Sequence, residues 1–169
     1  KIAAKFDQGK KYALYDFNSN FPLRKELADS IRECGYTVVA TAYNPYADIC
    51  FDTIDAFDWA DIFRHVDIVV TERFHDSVFG LRNVKPVIAI DWDANRFSLN
   101  GDSKTYRILQ DYGLEQLHFN LATDNRLANI IKAIQNIDNI FDKDQVTDAN
   151  RKYYAYNEEI LKKIKGCLG

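Results

Sequence analysis

Residues 66–75 read Val-Asp-Ile-Val-Val-Thr-Glu-Arg-Phe-His, an apolar run that passes directly into a helical pattern. The run is bounded by polar residues, which predicts a buried strand ending at Thr71. Phe74, Val78 and Leu81 then recur at i, i+4 and i+7, which predicts a helix with these three side chains facing the core. A strand followed at once by a helix indicates an α/β fold, and it places the intervening turn at an edge of the sheet.

Strand patterns and helix patterns alternate along most of the chain. Strands are predicted at residues 12–17, 36–42, 66–71, 86–91 and 117–119. Helices are predicted at residues 22–35, 53–65, 72–81, 103–113, 124–137 and 146–168. Such alternation is typical of βαβ units. We therefore predict an α/β fold with a Rossmann-like parallel sheet flanked by helices.

The predicted elements divide the chain into three parts. Residues 1–11 are polar and basic and are expected to be a linker, residues 12–142 form the Rossmann-like domain, and residues 143–169 form a long C-terminal amphipathic helix. The chain begins with Lys1 and contains no methionine. We therefore expect it to be a piece of a longer protein.

The composition is that of a globular domain. Of the 169 residues, 47% are hydrophobic, the formal net charge is −3 and the sequence pI is about 5.6. This acidic balance argues against nucleic acid as the general partner. No apolar run in the sequence approaches the roughly 20 residues needed to span a bilayer. We expect no transmembrane segment and a cytoplasmic location, with peripheral contact to the inner membrane face left open.

Three common site motifs are missing from the sequence. There is no GxGxxG after a strand, no GxxxxGK followed by Ser or Thr, and no HExxH. The first two are the usual dinucleotide and P-loop fingerprints, and the third is a zinc motif. We therefore expect neither of those nucleotide sites and no metal site.

Polar and basic side chains follow the predicted strands at one edge of the sheet. Asn18 and Ser19 follow the first strand, Thr71, Arg73 and His75 the third, and Arg96, Lys104 and Arg107 the fourth. Ligands of an open parallel sheet gather at the carboxyl ends of its strands, beside helix N-termini that favour anions. Several cations and one histidine at this edge predict a ligand that carries a phosphate or a carboxylate.

Each of these residues also has a structural interpretation. His75 could be an ordinary histidine on a helix surface, although Phe74 is expected to take the core direction and to leave His75 facing the same edge as Arg73. Arg96 and Lys104 could be solvated charges. The residues interpreted as structural are Asp91, Asp93, His65 and His118.

Four runs of the sequence share an order and spacing that are not common. They are residues 57–63 (Phe-Asp-Trp-Ala-Asp-Ile-Phe), 66–75 with the turn Thr-Glu-Arg-Phe-His, 85–90 (Lys-Pro-Val-Ile-Ala-Ile) and 108–114 (Ile-Leu-Gln-Asp-Tyr-Gly-Leu). Together they resemble the C-terminal half of the polysaccharide pyruvyl transferase family. The resemblance covers roughly residues 12–115.

The resemblance implies a fold similar to the two-domain glycosyltransferases called GT-B, whose cleft lies between two Rossmann-like halves. This chain would be the C-terminal half, the N-terminal half of the same protein would be its partner, and the fragment alone would be inactive. Family members transfer pyruvate from phosphoenolpyruvate onto two hydroxyls of a sugar as a ketal and release phosphate. The resemblance thus implies a transferase of surface-glycan, exopolysaccharide or cell wall biosynthesis. Its acceptor would be a sugar or lipid-linked glycan, and it would need no cofactor besides the phosphoenolpyruvate donor.

The same resemblance implies roles for the residues at the sheet edge. His75 is the expected general acid or base, since a histidine exchanges protons near neutral pH, and Arg73 is an expected anion contact. Arg96 stands one residue away from the basic position of the family and is expected to take part in catalysis. Asp76 and Ser77 receive no role. The other expected substrate contacts are Thr71, Lys104, Arg107, Asn18 and Ser19.

Two other functions stay open at this point. The same fold suits a glycosyltransferase with a nucleotide-sugar donor, although no Glu-rich ribose-binding segment occurs near residues 91–107. A non-catalytic carbohydrate-binding or assembly domain is compatible with the displaced Arg96. Binding of uridine nucleotides, or of glycans without phosphoenolpyruvate, would separate these alternatives from pyruvyl transfer.

Overall fold

The strands and helices below come from a computed structural model that describes residues 2–52, 54–95, 103–123 and 126–167. The strands are β1 (Lys11–Asp16), β2 (Tyr36–Ala40), β3 (Ile49–Cys50), β4 (Ile68–Thr71), β5 (Val87–Asp91) and β6 (His118–Asn120). The helices are α1 (Arg24–Glu33), α2 (Ala56–His65), α3 (Phe74–Arg82), α4 (Lys104–Asp111), α5 (Leu127–Gln135), α6 (Ile137–Ile140) and α7 (Lys143–Cys167).

All six strands pair in parallel in one sheet, in the order β3-β2-β1-β4-β5-β6. The predicted α/β fold with a Rossmann-like parallel sheet is therefore confirmed. From the central pair β1 and β4, the sheet continues through β2 and β3 on one side and through β5 and β6 on the other. The strand order therefore reverses at this pair, and a crevice opens at the carboxyl ends of β1 and β4. Asp16 and Thr71 are register partners at that point.

Helices cover both faces of the sheet. The crossover from β1 to β2 and the crossover from β4 to β5 run in opposite directions, and right-handed crossovers then place α1 and α3 on opposite faces. Accordingly, α1 packs beside α5, whereas α3 packs against α2, α4 and α7. The central strands β4 and β5 are buried along their whole length. Because helices cover both faces of these strands, their sequences are continuous apolar runs instead of alternating apolar and polar residues.

The buried face of α3 differs from the predicted one. Leu81 is buried as expected, but Phe74 and Val78 are only partly buried, and Asp76 and Ser77 face the sheet instead. The prediction for Phe74 and Val78 was therefore wrong. The physical reason is the close approach of the helix to the sheet: a Cβ added to Gly80 would lie 2.7 Å from Val87 Cγ2. Small side chains fit such a gap, whereas Phe74 and Val78 stay only partly buried.

Other differences concern the ends of the chain and one short strand. β3 has two residues and pairs Ile49 with Val39, which is too short to leave a periodic signal. Within the expected linker, residues 3–5 form a 3-10 turn whose neighbour Ile2 is buried. The final helix begins at Lys143.

The first turns of α7 pack on the domain. Val146 is fully buried, and Ala149 and Tyr153 are partly buried against the core. Further along, Tyr156 and Ile164 are 61% and 50% exposed, so the predicted apolar stripe continues past the contact surface. No helix in the described ranges is both long and apolar enough to cross a membrane.

We predict that Gly80→Ala destabilises the protein. The added methyl group gains about 1 kcal/mol of helix propensity, but it meets Val87 Cγ2 and Val69 Cγ2, and overpacking costs about 1–3 kcal/mol. We expect a net loss of up to about 2 kcal/mol in the free energy of unfolding, measured by urea denaturation.

The matched control is the double variant Gly80→Ala, Val87→Ala, because it removes the atom nearest the new methyl group. Its destabilisation should be smaller than the sum of the two single effects. Strict additivity, or a Gly80→Ala variant more stable than wild type, would contradict the proposed close approach.

Candidate functional site

Asp16 joins the carboxyl ends of three strands. Its side chain accepts a hydrogen bond from the hydroxyl of Thr41, which follows β2. Its Oδ1 lies 3.3 Å from Nη2 of Arg73, which follows β4. The residue is 4% exposed, so this carboxylate has few alternatives to its protein partners. Asp16 therefore fixes Arg73 at the crevice between β1 and β4.

Thr71 and Asp76 form a second buried contact beneath Arg73. The Thr71 Oγ1 lies 2.8 Å from Oδ2 of Asp76 and 3.0 Å from the backbone oxygen of Asp16, and it accepts the N–H of Arg73 at 2.9 Å. Thr71 is 0% exposed and Asp76 is 1% exposed. Thr71 was expected to contact substrate, but its hydroxyl is bonded to protein groups and positions the turn.

The two buried carboxyl groups have perturbed proton affinities. Burial, together with the nearby Asp16, raises the pKa of Asp76 to about 7, against the opposing effects of the Thr71 hydrogen bond and Arg73. Burial also raises the pKa of Asp16, and the hydroxyl of Thr41 and the charge of Arg73 oppose it. Carboxyl groups that interact in this way titrate as a pair.

Glu72 connects the loops around the crevice. It accepts the backbone N–H of Asn18 at 2.7 Å and also the indole N–H of Trp92. These two residues follow β1 and β5, and Glu72 itself follows β4. Asn18 and Ser19 are exposed, and within the described part of the chain they form hydrogen bonds through their backbone atoms. Their side chains are therefore accessible on a loop that Glu72 and Arg24 hold in place.

Arg24 is a cation at this edge that the sequence interpretation missed. Its Nη1 donates to the backbone oxygen of Ser19 at 2.8 Å, and its guanidinium carbon lies 5.1 Å from the centre of the Tyr46 ring. Its Nε is buried without a hydrogen-bond partner in the described part of the chain, which also holds no carboxylate in ion-pair contact with it. The available signal was its place as the first residue of α1, where the helix dipole disfavours a cation.

Arg73 and His75 are accessible to a ligand. The Arg73 side chain is 42% exposed despite its contact with Asp16. His75 is the second residue of α3 and is exposed, with its ring 5.7 Å from that of Phe74. A held guanidinium and an exposed imidazole two residues apart can bind an anion and exchange a proton beside it.

A family model described as polysaccharide pyruvyl transferase matches residues 7–94, just over half of the chain. The chain belongs to the polysaccharide pyruvyl transferase family. The match includes β1, β4 and the Thr71–His75 turn, so it covers the crevice described above. No curated protein and no solved structure matches the chain significantly.

Three expected site residues lie beyond the range that the pyruvyl transferase model matches. Lys104 and Arg107 are exposed on α4, and neither makes an ion pair with Asp16 or Asp76 among the described residues. Arg96 lies outside the described residues. The structure therefore brings together Thr71, Arg73 and the loop at 18–19, and it leaves the basic residues after β5 as separate candidates.

A buried network anchors the start of α4 in this pyruvyl transferase domain. His118 Nε2 lies 2.7 Å from Asp91 Oδ2, and the hydroxyl of Thr105 donates to Asp91 Oδ1 at 3.0 Å. Ser103 caps α4 by accepting the N–H of Tyr106 at 3.0 Å. The Asp91 and His118 side chains are 2% and 4% exposed, which supports their structural interpretation.

Among the described residues, other features are weaker candidates for a ligand site than the crevice between β1 and β4. No group of three or more histidine, cysteine, aspartate or glutamate side chains among them could hold a metal ion. A depression of about 640 Å³ lies at the opposite edge of the sheet, where Lys11, Tyr36 and Lys85 line it. Ligands of this fold class bind at the carboxyl edge instead.

We predict that Thr71→Val destabilises the protein by about 1–3 kcal/mol, because a buried group that loses its hydrogen-bond partner carries that penalty. The substitution removes the acceptor of the Arg73 N–H and the contact with Asp76. Thr71→Ser is the matched control, since it keeps the oxygen and loses only a methyl group, at about 1 kcal/mol. Thermal denaturation should rank wild type, Ser and Val in that order. A Val variant as stable as the Ser variant would refute the role of the hydroxyl.

Proposed function

We propose that this domain binds phosphoenolpyruvate at the crevice between β1 and β4 and takes part in transferring its pyruvate to a sugar of a surface glycan as a ketal. The observation that carries the proposal is Arg73, a guanidinium that buried Asp16 holds in place and that remains 42% exposed at the crevice. Membership in the pyruvyl transferase family supports the reaction class.

The reaction requires two kinds of group that this edge supplies. One sugar hydroxyl adds to the central carbon of the donor while the methylene carbon takes a proton, and a second hydroxyl then displaces phosphate, so that ketal and phosphate are the products. The donor carries a carboxylate and a phosphate, which need cations, and the proton transfers need an acid and a base. In this proposal Arg73 and Arg24 contact the anionic donor and His75 exchanges protons.

The residues after β5 complete the proposed site. Lys104 and Arg107 are exposed cations on α4, and Arg96 precedes that helix in the sequence. In this proposal Arg96 assists catalysis, Lys104 and Arg107 bind substrate, and the side chains of Asn18 and Ser19 reach the donor or the sugar. No cofactor is needed, since phosphoenolpyruvate supplies the group that is transferred.

The proposed partner is an N-terminal Rossmann-like half of the same protein, in a GT-B-like arrangement. The outer turns of α7, where Tyr156 and Ile164 are exposed, would pack towards that half. The acceptor would be a sugar or a lipid-linked glycan, the latter reached at the inner membrane face. In this proposal the N-terminal half supplies the other side of the cleft, so residues 1–169 alone should not turn over phosphoenolpyruvate. Turnover by this chain in isolation would refute the shared site.

We predict that His75→Ala lowers phosphate release from phosphoenolpyruvate by about 10²–10⁴-fold in the full-length protein with sugar acceptors, which is the usual contribution of a general acid or base. His65→Gln is the control, because His65 lies on α2 next to Asp61 and away from the crevice. Equal rates for wild type and His75→Ala would rule out the assigned role.

We predict that Arg24→Gln and Arg73→Gln each weaken phosphoenolpyruvate binding about tenfold or more, since a charge-assisted hydrogen bond contributes about 1.5–3 kcal/mol. Calorimetry measures the affinity, with Arg64→Gln as the control because Arg64 is an exposed arginine on α2. Unchanged affinity in both crevice variants would contradict the donor site. Tighter binding of uridine nucleotides than of phosphoenolpyruvate would favour a nucleotide-sugar donor instead.

A further inference from the structure

The Thr71 Oγ1 lies within hydrogen-bond distance of three groups in a region with almost no solvent exposure. They are the N–H of Arg73 at 2.9 Å, the backbone oxygen of Asp16 at 3.0 Å and Asp76 Oδ2 at 2.8 Å. A hydroxyl carries one hydrogen and accepts at two lone pairs. The Arg73 N–H occupies one lone pair, so the hydroxyl has one hydrogen and one lone pair for the other two contacts.

These contacts can all be hydrogen bonds only if Asp76 carries a proton. The backbone oxygen of Asp16 is an acceptor, and an ionised Asp76 would be a second acceptor competing for the single hydrogen of Thr71. One of the two contacts would then place two oxygens face to face without a hydrogen, which is costly in a buried site. A protonated Asp76 donates to Thr71, and Thr71 donates to Asp16, so every contact is satisfied.

The charges around Arg73 agree with this proton. Asp16 faces Arg73 at 3.3 Å and carries the negative charge that anchors it. With Asp76 neutral, Arg73 faces one buried anion, and the exposed part of its guanidinium keeps the ability to attract a ligand. A second buried anion would offset that attraction.

We infer that Asp76 is a positioning residue that acts as a neutral acid, holding the turn that presents Arg73, and that its ionisation weakens anion binding at Arg73. The inference rests on the proposed donor contact of Arg73 and adds the group that controls it. Asp76 was given no role from the sequence, and its 1% exposure keeps it from touching a ligand itself.

The proton affinity of Asp76 supports this assignment. Its pKa is raised from 3.8 to about 7, mainly by burial and then by Asp16 of β1, against the opposing effects of the Thr71 hydrogen bond and Arg73. Glu72 acts on Asp16, and no charged group described on the neighbouring helices contributes to the shift of Asp76. Because the folded-state pKa lies above the ordinary value, stability should fall as pH rises between those two values and then level off.

The location of the proton can be measured directly. Carbon-13 NMR of aspartate carboxyl groups in the 169-residue chain should show one resonance that titrates near pH 7 and disappears in Asp76→Asn. Asp58→Asn is the matched control, because Asp58 is the third residue of α2, as Asp76 is of α3. It should remove a different resonance. Titration of Asp76 below about pH 5, close to the ordinary aspartate range, would overturn the inference.

The effect on Arg73 can be measured with sulfate, whose charge is constant between pH 6 and pH 8. Wild type should bind sulfate more weakly at pH 8 by about fivefold, the effect of one added charge near the site. The asparagine side chain keeps a donor for Thr71 and cannot ionise, so Asp76→Asn should lose clearly less affinity over the same range. Wild type and Asp76→Asn share every other group that changes charge over this range, so the difference between them reports on Asp76.

The outcomes separate this inference from the proposed function. Equal pH dependence of sulfate binding in wild type and Asp76→Asn, or no sulfate binding that depends on Arg73, would overturn the positioning role. If the titration and the sulfate difference are both observed, the inference holds even when the full-length protein releases no phosphate from phosphoenolpyruvate. In that case only the proposed reaction fails.

Discussion

The Thr71 hydroxyl connects the two central strands to the helix that follows them. β1 and β4 meet where the strand order reverses, and Asp16 and Thr71 are register partners at their ends. Since this point is buried, each polar group must find its partner inside the protein. The backbone of Asp16, the turn at Arg73 and the carboxyl group of Asp76 all meet at this one oxygen. The placement of the crevice residues depends on that contact.

The close packing of α3 gives this contact its geometry. Gly80 lets the helix approach Val69 and Val87 on the sheet, and the same approach turns Asp76 and Ser77 inward. Asp76 then lies beneath Arg73 rather than in solvent, and the N-terminus of α3 points at the crevice.

Much of the fold could be predicted because it rests on patterns within single segments. The buried strands at 66–71 and 86–91, the helix at 103–113 and the αβ alternation all leave local signals, and the structure confirms them. The role of Asp76 leaves no such signal, since an aspartate in a first helical turn is typical of an exposed one. Arg24 was missed for a related reason: its contacts with Ser19 and Asn44 join two loops that only the sheet brings together.

The distribution of charge at the crevice indicates how a net-acidic domain can still attract an anion. The buried carboxylate of Asp16 fixes the position of Arg73. If Asp76 were also ionised, the two negative charges would cancel most of the attraction between Arg73 and an anionic ligand. A proton on Asp76 resolves this conflict, because it satisfies the hydrogen bonds of the turn without adding charge. Arg24 also keeps its positive charge available for a ligand, because the groups that hold it, a backbone oxygen and the Tyr46 ring, carry no net charge. Arg73 is thus matched by one buried carboxylate and Arg24 by neutral groups, so both keep charge available at the sheet edge.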